Sequence, residues 1–297
     1  MPPSISGRRS LTSSYPLERS PEARQLAEIA LGRLVREFGD NDVPFVVLGG
    51  LVPEILTRGQ DPPAPQHLGT TDVDLQLNLS LQLESYEGLQ RLEVALDNAG
   101  FSPSEGNEGW RWETEVEKAT IKIEFLCELD DLPEGIAEIP GCERLRVSNL
   151  RGTGYVSEDW QWVELPLVTE SGDRDVVSVR FAGLEGFVMS KVHVVWRRGA
   201  AKDYYDLVYV LLYSPVGDPT DVADILAAGR FGDRIDLTVG PWPELRARFE
   251  QPQGMGALGY SEQGVQADPS LDAAQARQDA VGAVTAFLDR LSEKLRP

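Results

Sequence analysis

The chain is poor in the residues that build covalent or soft-metal frameworks. It has two cysteines in 297 residues, Cys127 and Cys142, and two histidines, His67 and His193. Two cysteines cannot make a disulfide scaffold, and these two do not form a metal-ligand spacing. A histidine-rich zinc site is not expected from so few imidazoles, which leaves carboxylates as the groups able to hold a metal. No apolar run approaches the roughly 18 to 20 residues that span a bilayer, so no membrane partner is expected. Residues Met1 to Ser20 are rich in Ser, Pro and Arg and lack an apolar stretch like a signal-peptide core. They read as a flexible tail (1–20) on a cytoplasmic protein. Positive charge is also scarce: 28 Lys and Arg stand against 48 Asp and Glu, a formal net charge of −20. That balance opposes non-specific binding to a nucleic-acid backbone, which needs clustered cations. It leaves room for cationic partners or substrates.

Hydrophobic residues make up 41% of the chain, enough for a folded core. The pattern predicts a helix over 21–39, a short buried strand over 44–48 closed by Gly49-Gly50, and a short helix over 51–58. A Pro-rich loop covers 59–70. Helix 84–99 precedes strands at 110–116 and 119–127, a loop-rich stretch over 130–143, and strands near 144–149, 160–168 and 175–181. From Leu184 the period becomes helical: 184–198, 201–213, 219–228, 242–249 and 271–294, with a Gly- and Gln-rich loop expected over 251–268. The change from strands to helices near residue 182 is the expected domain boundary, giving units 21–182 and 183–297. The fold class is α+β, a mixed sheet with flanking helices followed by a helical C-terminal part.

Residues 71–80, TDVDLQLNLS, alternate strictly. Val73, Leu75, Leu77 and Leu79 take one face; Asp72, Asp74, Gln76 and Asn78 take the other. Two acids on one strand face repel each other unless a cation lies between them, and a divalent metal with oxygen ligands is the usual resolution. Glu124 stands on the polar side of ATIKIEFLC. It completes a three-carboxylate cluster if that strand lies beside 71–80. Three carboxylates can hold two Mg²⁺ ions, one at the attacking hydroxyl and one at a triphosphate. Gly49-Gly50 follows a strand and opens a helix, a turn whose backbone N–H groups can approach phosphate closely. It matches neither the P-loop nor the Rossmann glycine pattern.

One segment runs against the acidity. KVHVVWRRGAAKDYYD, residues 191–206, concentrates Lys191, Arg197, Arg198 and Lys202, a local site for anions such as nucleotide phosphates. Asp203 and Asp206 lie three apart on the helix that Lys202 opens. His193 reads as a packed histidine. His67, in the loop before the carboxylate strand, also reads as packed, with substrate contact as the alternative. The pairs Trp110/Trp112 and Trp160/Trp162 could stack a base, but sheet-face packing is the expected role.

Together, the glycine pair, T-D-V-D and a later strand acid resemble the DNA polymerase β-like nucleotidyltransferase superfamily. The run E-G-F-V-M-S-K-V-H-V-V-W-R-R-G-A-A-K-D-Y-Y-D-L resembles the second signature of AbiEii-type toxins, a group that includes MenT-like toxins. The resemblance covers roughly residues 44–212. It implies a polymerase β-like nucleotidyltransferase sheet and a Mg²⁺-dependent enzyme with two ions, using an NTP and releasing pyrophosphate. It implies that Gly49, Gly50 and Thr71 hold the triphosphate and that Asp72, Asp74 and Glu124 bind metal. It further implies that Lys191 and Arg197 or Arg198 contact phosphates, and that Lys202 and Asp203 form the second signature, supported by Asp206. Asp72, Asp74, Glu124 and Lys191 are the expected catalytic set. Such toxins belong to toxin–antitoxin or phage-defence systems and some modify the tRNA acceptor end, so a tRNA acceptor and a cognate antitoxin are implied partners. The long Pro-rich loop after Gly50, and Glu rather than Asp at 124, depart from the pattern. Two other readings stand beside this one. The −20 charge suits transfer to a small cationic acceptor of aminoglycoside type, and the Glu at 124 suits a degenerate domain that binds nucleotide without turnover.

Overall fold

The computed structural model describes residues 19–39, 43–79, 87–106, 109–168 and 174–296. Residues 1–18 of the expected tail lie outside them. Among the described residues, nine strands form one mixed sheet in the order β3-β4-β5-β2-β1-β9-β8, with β7 attached to β5 and β6 to β7. The strands are β1 (Phe45–Leu48), β2 (Asp72–Leu77), β3 (Ser102–Pro103), β4 (Arg111–Val116), β5 (Ala119–Cys127), β6 (Gly135–Glu138), β7 (Arg146–Asn149), β8 (Trp160–Val168) and β9 (Arg174–Ala182). Helices α1 (Pro21–Arg36), α2 (Val52–Leu56), α3 (Glu87–Asn98) and α4 (Tyr155–Glu158) flank it. Six more follow the last strand: α5 (Leu184–Arg197), α6 (Ala201–Tyr213), α7 (Pro219–Ala228), α8 (Pro241–Arg248), α9 (Met255–Ala267) and α10 (Ala273–Lys294). The mixed sheet with flanking helices and a helical C-terminal part is the architecture expected from the alternation of periods.

Local chemistry explains the elements that carry the site. Ser20 caps α1 by accepting a hydrogen bond from the Ala23 N–H at 3.0 Å, and Pro21 occupies the first turn, where no intrahelical donor is needed. The strict alternation of β2 sends Val73, Leu75 and Leu77 into the core and turns Asp72 and Asp74 to the other face. On β5, Ile121, Ile123 and Phe125 are fully buried in the same core. The edge of β5 is shared: β4 pairs with it from Ala119 to Glu124, and β7 takes over at Leu126. Glu124 therefore stands at the seam where one neighbour ends and the other begins.

Two local expectations change. Residues 251–268, expected as a Gly- and Gln-rich loop, contain α9. Its glycines let it lie close against its neighbours: a Cβ at Gly259 would fall 2.8 Å from Tyr204 Cδ2, and one at Gly256 2.4 Å from Phe249 Cε2. Tertiary packing outweighs the low helix propensity of glycine here. The loop-rich stretch 130–143 holds β6, whose ladder to β7 supplies the backbone bonds that its sequence does not advertise.

Candidate functional site

The site is built where β1 ends and β2 begins, beside β5, with residues of α5 and α6 on its wall. Strands β2 and β5 run parallel, and their register sets Asp74 opposite Glu124 and Asp72 opposite Lys122. On the other side, β1 sets Leu48 opposite Asp74. The chain then turns at Gly49 with φ of +76°, a conformation that favours glycine. Space gives a second reason: a Cβ at Gly49 would lie 1.9 Å from Asp74 Oδ2. The glycine turn and the carboxylate are thus in van der Waals contact. Gly50 abuts Thr70, whose hydroxyl accepts from the Asp72 N–H at 3.0 Å.

A cavity of about 460 Å³ opens over this face, within the ~300–1,000 Å³ of small-molecule sites. Its wall carries five acidic side chains, Asp72, Asp74, Glu124, Asp203 and Asp206. It also carries seven cationic ones: Arg19, Arg111, Arg151, Lys191, Arg197, Arg198 and Lys202. A chain with a net charge of −20 therefore surrounds one cavity with more positive than negative groups. All the expected residues except Thr71 line it. Thr70 stands there instead, while the Thr71 carbonyl accepts from the Lys122 N–H at 3.1 Å and extends the β2–β5 pairing.

The basic residues are held by a buried ionic network. Lys191 Nζ lies 2.7 Å from Asp206 Oδ2 and 3.3 Å from Asp203 Oδ1. Arg198 grips Asp203 with two bonds, of 2.9 and 2.8 Å. Asp203 and Asp206 are almost fully buried. Burial alone would raise the Asp206 carboxyl, but Lys191, Arg19 and His67 outweigh it and hold it well below the usual carboxylate range. Asp203 is lowered in the same way, burial being overcome by Lys191 and Arg198. Burial works against the Lys191 ammonium, yet Asp206 and Asp203 raise it overall, so it stays charged. Asp203 and Asp206 thus serve as a frame that fixes Lys191 and Arg198 on the cavity wall. Arg197 is turned toward Glu134, with which it pairs, and Lys202 Nζ stands 3.8 Å from Asp72 Oδ2.

Two residues of the cavity lie outside those singled out for roles in the sequence. Arg19 reaches in ahead of α1 and bonds Asp206 Oδ1 at 2.9 Å, the Gly69 carbonyl at 2.8 Å and Gln263 Oε1 at 2.7 Å. Such links span up to 244 positions, so no local pattern signals them. Arg111 lines the cavity, pairs with Glu124 and lies 4.8 Å from the Trp110 ring centroid. His67 is packed, as expected, but not idle. Its Nδ1 accepts from the Gly69 N–H at 3.1 Å, so the ring proton sits on Nε2 and faces Asp206 Oδ1 at 3.1 Å. Burial lowers its pKa, and Tyr205 and Tyr209 enclose it. This fixes the Pro-rich loop. His193 is packed against Tyr155. Of the tryptophans, Trp112 is fully buried and Trp110 joins the cavity wall. Trp160 and Trp162 lie edge to face on the exposed side of β8.

Asp74 is shifted in the opposite direction to Asp203 and Asp206. Burial pushes its carboxyl up to about 7, and the charge of Glu124 adds to the shift. The donors Asp72, Asp74 and Glu124 are all oxygens, which suits Mg²⁺. Among the described residues, no three His, Cys, Asp or Glu side chains form a ready metal cage; Glu124 is turned to Arg111. Asp72 and Asp74 offer oxygens that suit a hard cation, while Glu124 is engaged by Arg111. Among the described residues no helix is long and apolar enough to cross a membrane.

No family model matches the chain, and no curated protein is similar to it in sequence. Solved structures similar in shape include the following three. JHP933 from Helicobacter pylori is 13% identical, with a TM-score of 0.41, over 92% of this chain and 95% of that one. A candidate nucleotidyltransferase from H. pylori is 13% identical, with a TM-score of 0.44, over 92% and 97%. An antigenic nucleotidyltransferase-like protein from Paracoccidioides brasiliensis is 14% identical, with a TM-score of 0.33, over 74% and 93%. Likeness at this level carries no weight for the chemistry, which rests on the side chains of the cavity.

Proposed function

We propose that this chain is a Mg²⁺-dependent nucleotidyltransferase. The single observation that carries the reading is the parallel β2–β5 register, which puts Glu124 beside Asp74 directly under the Gly49 turn. The NTP triphosphate lies along the backbone of Gly49-Gly50, drawn by Lys191, Arg198 and Lys202. The α-phosphorus is attacked by an acceptor hydroxyl. The new O–P bond forms as the bond to the β-phosphate oxygen breaks, and pyrophosphate leaves. The hydroxyl proton passes to a carboxylate of the cluster, Glu124 in this reading. Mg²⁺ ions held by Asp72, Asp74 and Glu124 would neutralise phosphate charge. The protein contributes positioning and fixed charge and forms no covalent bond to the substrate.

At finer grain, the reading is an AbiEii-type, MenT-like toxin acting on the 3′ end of tRNA and restrained by a cognate antitoxin. Its support is the sequence resemblance, in which the Lys191-to-Asp206 signature forms one buried frame. The test is incubation with each labelled NTP, Mg²⁺ and total tRNA, with Asp72→Ala as control. Label transfer that Asp72→Ala abolishes supports the reading. Silence from both proteins with every NTP sinks it. The Arg111–Glu124 pair favours a second reading, a nucleotide-binding module without turnover. Calorimetry showing Mg²⁺–NTP binding without product would select it.

A further inference from the structure

Beyond the phosphate end, the cavity has a second character. Leu126, Leu150, Val156, Phe187 and Val194 line it. On β5, Leu126 lies two residues past Glu124, about 7 Å further along the strand. Phe187, Ser190, Lys191 and Val194 share one face of α5 by their spacing. One polar atom beside these apolar side chains stands out. Ser190 is 5% exposed, lines the cavity, and its Oγ has no hydrogen-bond partner. A helical serine commonly donates to the carbonyl one turn back; this one does not. The neighbouring Thr153 hydroxyl, by contrast, is engaged, donating to the Leu150 carbonyl at 2.9 Å. An unbonded buried hydroxyl destabilises the free protein, and a ligand that bonds it recovers that loss.

We infer that Ser190 is a specificity-determining residue that hydrogen-bonds the edge of the nucleobase of the NTP. This rests on the nucleotide reading above. The occupant follows from shape and polarity. A base has apolar faces for the aliphatic and aromatic walls and a polar edge for one hydroxyl. Its anionic tail belongs with Lys191, Arg198 and Lys202. A purely apolar occupant would leave Ser190 unbonded.

The test is binding of ATP, GTP, CTP, UTP and the base-free probe tripolyphosphate, each with Mg²⁺ and without acceptor, to the wild type and Ser190→Ala. Ser190→Ala is expected to weaken the preferred NTP roughly 2- to 12-fold, the range for loss of one neutral hydrogen bond. It should flatten the ranking among NTPs and leave tripolyphosphate unchanged. The melting temperature of the free variant should be equal or higher, since an unbonded hydroxyl is removed. Equal loss for NTPs and tripolyphosphate would place the hydroxyl at the phosphates and overturn the assignment. So would an unchanged ranking, or a marked fall in melting temperature. If the wild type binds no NTP, the nucleotide reading itself falls and Ser190 with it. If the wild type binds NTPs and the variant matches it, only the Ser190 assignment falls.

Discussion

Asp74→Asn tests the electrostatics of the cavity without requiring a substrate. The Asp74 carboxyl is pushed up to about 7 by burial and by Glu124, from an ordinary 3.8. Between these values the unfolded chain has released its proton while the folded chain keeps it. The folded state then binds more protons, so stability falls as pH rises through this window. A shift of about three units corresponds to at most about 4 kcal/mol. The carboxyl touches the cavity, so water relaxes part of this, and about 1–3 kcal/mol is expected. Asparagine has no such charge to bear. The stability of Asp74→Asn relative to wild type should therefore increase by that amount between pH 4 and 8, read from urea melts with EDTA present. The difference between the two proteins is the quantity to follow. His67, lowered by burial, makes stability fall as pH drops through the ordinary histidine range, in both proteins alike. Millimolar Mg²⁺ at pH 8 should then raise the wild-type melting temperature more than that of the variant, because the cation relieves the same repulsion. A wild-type-minus-variant difference that is flat from pH 4 to 8 would refute the reasoning.

Gly49→Ala introduces a Cβ 1.9 Å from Asp74 Oδ2 at positive φ. It should cost about 1 kcal/mol or more of stability and abolish Mg²⁺–NTP binding; undiminished NTP affinity by calorimetry would show that the turn does not approach the phosphates. Asp206→Ala removes from a buried site the carboxylate that Lys191, Arg19 and His67 share, and the loss should be about 3–5 kcal/mol in chemical denaturation. A change below 1 kcal/mol would mean that the frame is not held there. Arg111→Met frees Glu124 from its ion pair, so Mg²⁺ should bind more tightly, measured as a larger thermal shift at fixed Mg²⁺. A smaller shift than wild type would show that Arg111 does not compete with the cation.

The sequence by itself determined the faces of the strands. Period-two alternation in 71–80 is a one-dimensional property, and it assigns Asp72 and Asp74 to one side however the sheet is ordered. The helices after Leu184 and the cation-rich run 191–202 are legible for the same reason. Only the tertiary structure decided which strand lies beside β2, because strand order and register depend on contacts across many residues. That choice brought Glu124 to Asp74, 50 positions apart, and put Arg111 across from Glu124. It also brought Arg19 to Asp206 and left the Ser190 hydroxyl without a partner. Nor could local propensity foresee α9, whose glycines read as loop until Tyr204 and Phe249 supply the surfaces they pack against. Composition and period set which side chains are available on each face, but the electrostatics of Asp74 arise only when burial and a second carboxylate act on it together.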